Sequence, residues 1–159
     1  MNGTVWFAEA FGENLKIQYL ADKHIYSGRS KYQTIDIVDT EEYGRMLFLD
    51  GVAQSSDKGE FIYHEVMVHP AMLTHPNPQT VCIIGGAEGA TLREVFRHPS
   101  VTRAIMVDVD EELVGLCKKY LPRWNAGAYD DPRLDLRFGD GRQFLEQTTE
   151  SYDLSLIHI

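Results

Sequence analysis

The chain is poor in cysteine, in basic side chains relative to acidic ones, and in long apolar runs. Its two cysteines, Cys82 and Cys117, stand far apart in no CxxC pattern, each inside an apolar segment. That excludes a disulfide framework and a Cys-rich metal site, and reads as two reduced core thiols. Fifteen Lys and Arg against 24 Asp and Glu leave a net charge of −9, which argues against nucleic acid and anionic membrane as partners and suits a cationic ligand. No apolar stretch has the length of a transmembrane helix, and the N-terminus lacks the charged and apolar regions of a signal peptide, so a cytoplasmic setting is expected. There is no internal repeat and no low-complexity segment. No histidines or cysteines have ligand spacing, His64 and His69 being five apart, so no metal is expected.

What the chain does have is one strand, turn and helix grammar around which the rest is arranged. Thr80-Val81-Cys82-Ile83-Ile84 is a short apolar run, Gly85-Gly86-Ala87-Glu88-Gly89 a glycine-rich turn, and Ala90 to Arg97 a helical pattern. This is how a nucleotide-type cofactor site begins, because glycines allow a sharp turn and a close approach to the main chain. The glycines do not form a strict GxGxxG, and an acid sits among them. A carboxylate there repels a pyrophosphate and the carboxylate of S-adenosylmethionine, and attracts a ligand carrying an ammonium group.

Before that turn, from Trp6 to about Gln54, the pattern is extended. Leu15–Tyr19, Thr34–Asp39 and Arg45–Asp50 have strand lengths, with turn residues at Glu42-Tyr43-Gly44 and Asp50-Gly51, so a small antiparallel meander is predicted. Glu60 to His69 follows as a helix after Gly59, with Ile62, Val66, His69 and Leu73 on one face and Pro70 expected to kink or restart it. His75-Pro76-Asn77-Pro78 is a stiff connector. The boundary is placed near Lys58, giving domains 1–57 and 58–159.

After the turn, strands and helices alternate. A strand ending at Asp108, an amphipathic helix Glu111–Tyr120 stopped by Pro122, a polar loop from Asn125 to Pro132, a strand Leu134–Phe138, a helix Arg142–Gln147 and a last extended run from Tyr152 are predicted. The fold class is therefore α/β: an N-terminal antiparallel β domain, then an incomplete Rossmann-like parallel sheet with flanking helices. Ligands collect at the carboxyl ends of such strands, where Glu88, Asp108 and Asp140 fall. Asp108 can accept from ribose hydroxyls or cap the next helix, and Asp140 can accept from an adenine amino group or simply make the turn with Gly139 and Gly141.

Taken together, Ser30-Lys31-Tyr32-Gln33, Leu49-Asp50-Gly51-Val52-Ala53-Gln54, Glu60-Phe61-Ile62-Tyr63-His64-Glu65, Ile83 to Ala90, Leu92-Arg93-Glu94 and Gly139-Asp140-Gly141 resemble the polyamine aminopropyltransferases, the spermidine synthase family, from about Trp6 to Asp153. The resemblance implies transfer of an aminopropyl group from decarboxylated S-adenosylmethionine to putrescine, and a homo-oligomer, dimer or tetramer, formed largely through the N-terminal part. It places Gln33, Gly85, Gly86, Glu88, Gly89, Asp108, Asp140 and Gly141 at the cofactor, and Gln54, Tyr63 and His64 at the amine. Ala87 stands where the family turn usually has glycine, and Glu88 where it usually has aspartate. Glutamate there also occurs in thermospermine synthase-like members, which leaves spermidine as an alternative acceptor.

The family pattern continues into an apolar strand closing on an aspartate that acts as the base, then a second acid and a proline. Here the run is Leu154-Ser155-Leu156-Ile157-His158-Ile159. The base is expected at or beyond His158, and the chain is read as a fragment lacking it, with a non-catalytic binding or assembly remnant as the other-class alternative. An S-adenosylmethionine methyltransferase is disfavoured by Glu88, and a dinucleotide-dependent dehydrogenase by the glycine spacing.

Overall fold

A computed structural model describes residues 5–157. The chain divides into two units between Glu60 and Phe61.

The first unit is all antiparallel. Strands β1 (Val5–Ala10) and β2 (Lys16–Ala21) form a hairpin, and β3 (Lys23–Arg29), β4 (Thr34–Thr40), β5 (Gly44–Leu49) and β6 (Val52–Ser56) form a meander in that order. Val38, Met46 and Phe48 are its buried centre, and Phe7 stacks on Phe48 with ring centroids 4.9 Å apart. Asp50 fixes the register at the β5 end, where its Oδ1 accepts from the Thr34 amide at 2.8 Å and from the Thr34 hydroxyl at 2.9 Å. The alternation of the sequence anticipated β2, β4 and β5; β1, β3 and β6 complete the unit.

In the second unit, β7 (Thr80–Ile84), β8 (Arg103–Asp108), β9 (Leu134–Phe138) and β10 (Leu154–Ile157) form a parallel sheet ordered β10-β7-β8-β9. The near-continuous burial of β7 and β8 is what a sheet covered on both faces demands, and it explains why these strands read as apolar runs rather than alternations. Successive strands step outward from β7 to β9, and β10 then returns to the opposite side of β7. The crevice at the carboxyl end of β7 is therefore the topological switch point, where open α/β sheets bind ligands.

Helix α1 (Glu60–Thr74) differs from its expected form in two ways. Pro70 lies inside one continuous helix instead of breaking it, and the Thr74 hydroxyl bonds to the Pro70 carbonyl at 2.7 Å one turn later. The buried face is also not the stripe of Ile62, Val66 and Leu73, which is exposed; it is His64, Val68 and Met72, at intervals of four. A buried histidine is invisible to a count of apolar positions.

Helix α2 (Ala90–Phe96) follows the glycine turn, and α3 (Glu111–Tyr120) follows β8. A short helix α4 (Pro122–Asn125), entered with Pro122 in its first turn, leads into the stretch expected as a polar loop, which contains a 3₁₀ turn at Ala128–Asp130. Trp124 of α4 and Tyr129 of the 3₁₀ turn are buried. Helix α5 (Gly141–Gln147) follows β9.

Candidate functional site

The turn after β7 is built from three glycines with left-handed backbone, Gly85 at φ 80°, Gly86 at φ 86° and Gly89 at φ 78°. A side chain at any of them would strain the main chain. Ala87 is not among the positive-φ residues, so its methyl, the departure from the glycine usual in the family turn, sits on ordinary backbone and is buried. The Gly85 amide is occupied by the Val107 carbonyl at 2.8 Å, and the Gly89 amide by the Gly86 carbonyl at 2.8 Å. These bonds hold the turn tight against β8 before any ligand arrives.

Glu88 projects from this turn and is buried. Its Oε1 lies 3.2 Å from Nε2 of His64, itself fully buried on α1. A carboxylate out of water requires such a partner, and the bond fixes its direction. Tyr63 precedes His64 and is half-exposed, its ring meeting the His64 ring edge-on with centroids 5.2 Å apart. The structure thus brings Tyr63, His64 and Glu88 together from α1 and the turn.

Asp108 ends β8 and is buried, 6 % exposed. Helix α3 is capped by Asp110, whose Oδ1 accepts from the Leu113 amide at 3.1 Å, while Asp108 Oδ1 accepts from the Asp110 amide at 2.9 Å. The helix-cap alternative for Asp108 is therefore taken by its neighbour. Asp140, by contrast, does cap: its Oδ1 accepts from the Gln143 amide at 2.8 Å at the start of α5, and the residue is exposed. Capping uses one carboxylate oxygen and orients the other. Gly141 packs so closely on the Ile84 side chain that a Cβ there would collide with it. That contact brings the start of α5 against the carboxyl end of β7.

Val109 and Phe138, exposed apolar side chains beside Asp108 and at the end of β9, complete this edge. The sequence reading passed over both, although their positions next to the strand-end acids were a signal. They offer apolar surface of the kind that pairs with a flat heterocycle.

Gln33 and Gln54 belong to the first unit. Gln33 closes a turn in which the Ser30 amide bonds to its carbonyl at 2.9 Å, and Gln54 lies exposed on β6 with its Nε2 donating to the Val52 carbonyl at 3.3 Å. His158 lies outside the described residues.

One polar cluster stands apart from these residues. Glu65, His69 and Glu94 place ligand-type atoms within 4.8 Å of one another. Glu94 is also bonded by Arg93 at 2.7 Å and Arg97 at 2.8 Å, so guanidinium groups already supply the positive charge. The grouping arises from the facing of α1 and α2, which residue spacing does not reveal.

Comparison with known proteins gives the same picture for both units. Residues 60–157 match the spermine/spermidine synthase domain, and residues 5–57 the spermidine synthase tetramerisation domain. The chain is 50% identical over 141 residues to polyamine aminopropyltransferase 2 of Pseudomonas aeruginosa, covering 89% of this chain and 40% of that protein. It is 39% identical over 153 residues to the polyamine aminopropyltransferase of Bacillus subtilis, covering 96% and 55%. Among solved structures it is similar to the spermidine synthase of Thermotoga maritima, with a TM-score of 0.93, 38% identity, and coverage of 96% of this chain and 54% of that one. A spermidine synthase in complex with the transition-state analogue AdoDATO matches with a TM-score of 0.93 and 38% identity, over 96% of this chain and 52% of that one. The chain spans about half the length of the curated relatives it matches.

Proposed function

The chain belongs to the spermidine synthase family of polyamine aminopropyltransferases, and on that premise we propose that the whole protein transfers an aminopropyl group from decarboxylated S-adenosylmethionine to putrescine in the cytoplasm. This chain supplies most of the cofactor half of that site. The observation that carries the reading is Glu88: a buried carboxylate inside the glycine turn, oriented by His64. An ammonium group satisfies it, whereas an α-carboxylate at the same place meets like charge in a poorly screened setting.

The remaining parts fit an adenosine moiety. Asp108 accepts from the ribose hydroxyls, Asp140 from the adenine amino group, and Val109 and Phe138 offer apolar surface to the base. The amine nitrogen attacks the methylene carbon next to the sulfonium, the carbon–sulfur bond breaks, and methylthioadenosine leaves as a neutral thioether. The proton lost from the nitrogen passes to a base, which the family resemblance puts at or beyond His158. Tyr63 orients the attacking nitrogen, since displacement requires it in line with the breaking bond. We assign the first unit, which carries Gln33 and Gln54, to homo-oligomer assembly on the strength of its match to the tetramerisation domain.

The experiment is a calorimetric titration of the purified chain with decarboxylated S-adenosylmethionine, methylthioadenosine and S-adenosylmethionine. The decarboxylated form should bind about 100-fold more tightly than S-adenosylmethionine, the size of a several-kcal/mol like-charge penalty. Equal affinity for the two, or no binding of either, overturns the assignment. In the same assay Asp108→Asn should weaken decarboxylated S-adenosylmethionine and methylthioadenosine alike, by about 10- to 100-fold, because both carry the ribose and a charged acceptor is worth ~1.5–3 kcal/mol.

A further inference from the structure

The segment between α3 and β9 is a buttress under the glycine turn. The hydroxyl of Tyr129, in the 3₁₀ turn, donates to the Ala87 carbonyl at 2.5 Å, in a buried setting. Its ring and Asn125 fill the space where Gly89 would carry a side chain: a Cβ built there stands 2.6 Å from Tyr129 Cε2 and 2.7 Å from Asn125 Cβ. From α2, Arg93 reaches the Trp124 carbonyl with its Nη1 at 2.6 Å, fastening α4 to the same helix. Three contacts thus tie Ala87, Gly89 and Arg93 to one segment. The Ala87 carbonyl belongs to the peptide that leads into Glu88, and the Glu88 carboxylate meets His64 on α1. Main chain and side chain of adjacent residues are therefore held by two different elements, and a shift of the peptide would carry the carboxylate with it.

Burial first, then the neighbouring Cys117, Glu88 and Asp108, push the Tyr129 phenol far above its ordinary pKa. It is therefore a neutral hydrogen-bond donor at neutral pH. A carbonyl acceptor requires such a donor, and a phenolate could not serve.

We propose that Tyr129 is a positioning residue for the ammonium subsite: its hydroxyl fixes the Ala87–Glu88 peptide so that the Glu88 carboxylate is aimed before the ligand arrives. The identity of the ligand rests on the aminopropyltransferase reading above, whereas the clamp itself does not. Preorganisation of this kind lowers the ordering cost of binding and shows up as affinity. It acts on the ligand part that Glu88 holds and leaves the nucleoside part alone.

The test removes one oxygen, with Tyr129→Phe in the full chain. Decarboxylated S-adenosylmethionine should bind about tenfold more weakly, the change that 1.4 kcal/mol produces, while methylthioadenosine, which has no ammonium, changes by less than about threefold on the same scale. A purely structural role would weaken both ligands equally or neither, and either result overturns the proposal. Hydrogen exchange of the free protein gives a readout independent of any ligand. Amides 87–89 should exchange about tenfold faster in the variant by the same conversion, with those of β8 unchanged. If the unsubstituted chain bound neither ligand, the aminopropyltransferase reading would fall. The exchange data would still decide on Tyr129, since no acceleration at 87–89 removes the clamp.

Discussion

Glu88→Gln should cost roughly 100-fold in affinity for decarboxylated S-adenosylmethionine, because a buried charge-assisted pair loses ~2–4 kcal/mol when one partner is neutralised. The substitution keeps the shape and a hydrogen-bonding end, so the turn remains in place. The carbonyl oxygen of the new amide can still accept from His64, but it presents no charge to an ammonium group. Methylthioadenosine, which places only a methyl thioether near the turn, should lose less than about threefold. The ratio of the two losses is what matters, because a general disturbance of the sheet edge would lower both. S-adenosylmethionine should move the other way and bind somewhat better, since the like charge that repels its carboxylate has gone. Titration of the three ligands into both proteins reads all of this at once. Parallel losses for the decarboxylated cofactor and the thioether would show that Glu88 acts through the fold and not on the ligand's amine.

The location of this site was legible early, and its mechanics were not. The run Thr80–Ile84, its glycines and the acids Asp108 and Asp140 mark strand ends by local pattern alone, and the structure puts each at the carboxyl edge of the sheet. That β10 lies beside β7, making the turn a switch point, depends on pairing across more than 70 residues, which local patterns do not encode. The face of α1 was misread because its inner stripe includes His64, a polar residue satisfied by a carboxylate from another element. Periodicity counts apolar side chains and has no way to credit a partner that is distant in sequence. The loop from Asn125 to Pro132 failed for a related reason. Its glycine, asparagine and aspartates look like solvent-facing turn chemistry, yet Asn125 and Tyr129 pack against Gly89 of the glycine turn. Asp110 rather than Asp108 caps α3, and Asp108 accepts from the Asp110 amide instead, a distinction of two residues that local pattern does not make.

The ion-pair cluster between α1 and α2 gives the largest expected loss of stability from a single side chain. Glu94 is 1 % exposed. Its Oε1 accepts from Arg93 Nε at 2.7 Å, and its Oε2 from Arg97 at 2.8 Å and His69 Nε2 at 3.1 Å. Glu94→Gln leaves Arg93 beside a neutral amide in a partly buried site, and breaking a buried pair in this way costs about 3 kcal/mol or more. For a unit of this size that corresponds to a drop of roughly 10–20 °C in the thermal midpoint. Arg97, largely exposed and also 3.4 Å from Glu65, can turn to solvent, which keeps the loss toward the lower figure.

The same cluster contributes to the pH dependence. Burial raises the Glu94 pKa, but hydrogen bonds from Arg93 and Arg97, and then their charges, outweigh it and hold the carboxyl below its ordinary 4.5. A lowered carboxyl contributes stability that is complete above the unfolded value and is lost as pH falls through the folded one. His98, whose Nε2 lies 2.9 Å from His69 Nδ1, is lowered from its ordinary 6.5 by burial first, then by His69 and Arg97, with Glu94 opposing. A lowered imidazole likewise favours the folded chain above its unfolded value and penalises it as pH falls toward the folded one. The wild-type midpoint should therefore decline in two stages on acidification, the first beginning near pH 6.5 and the second below 4.5. In Glu94→Gln the second stage should shrink and the first, still beginning near pH 6.5, should extend further down in pH and grow, because the carboxylate that favoured the charged His98 imidazole is gone. Thermal melts of both proteins from about pH 8 to about pH 4, the ordinary working range for such titrations, measure this directly. A variant midpoint within about 2 °C of wild type, which is less than ~1 kcal/mol, would show that the arginines carry no net stabilising charge pair here.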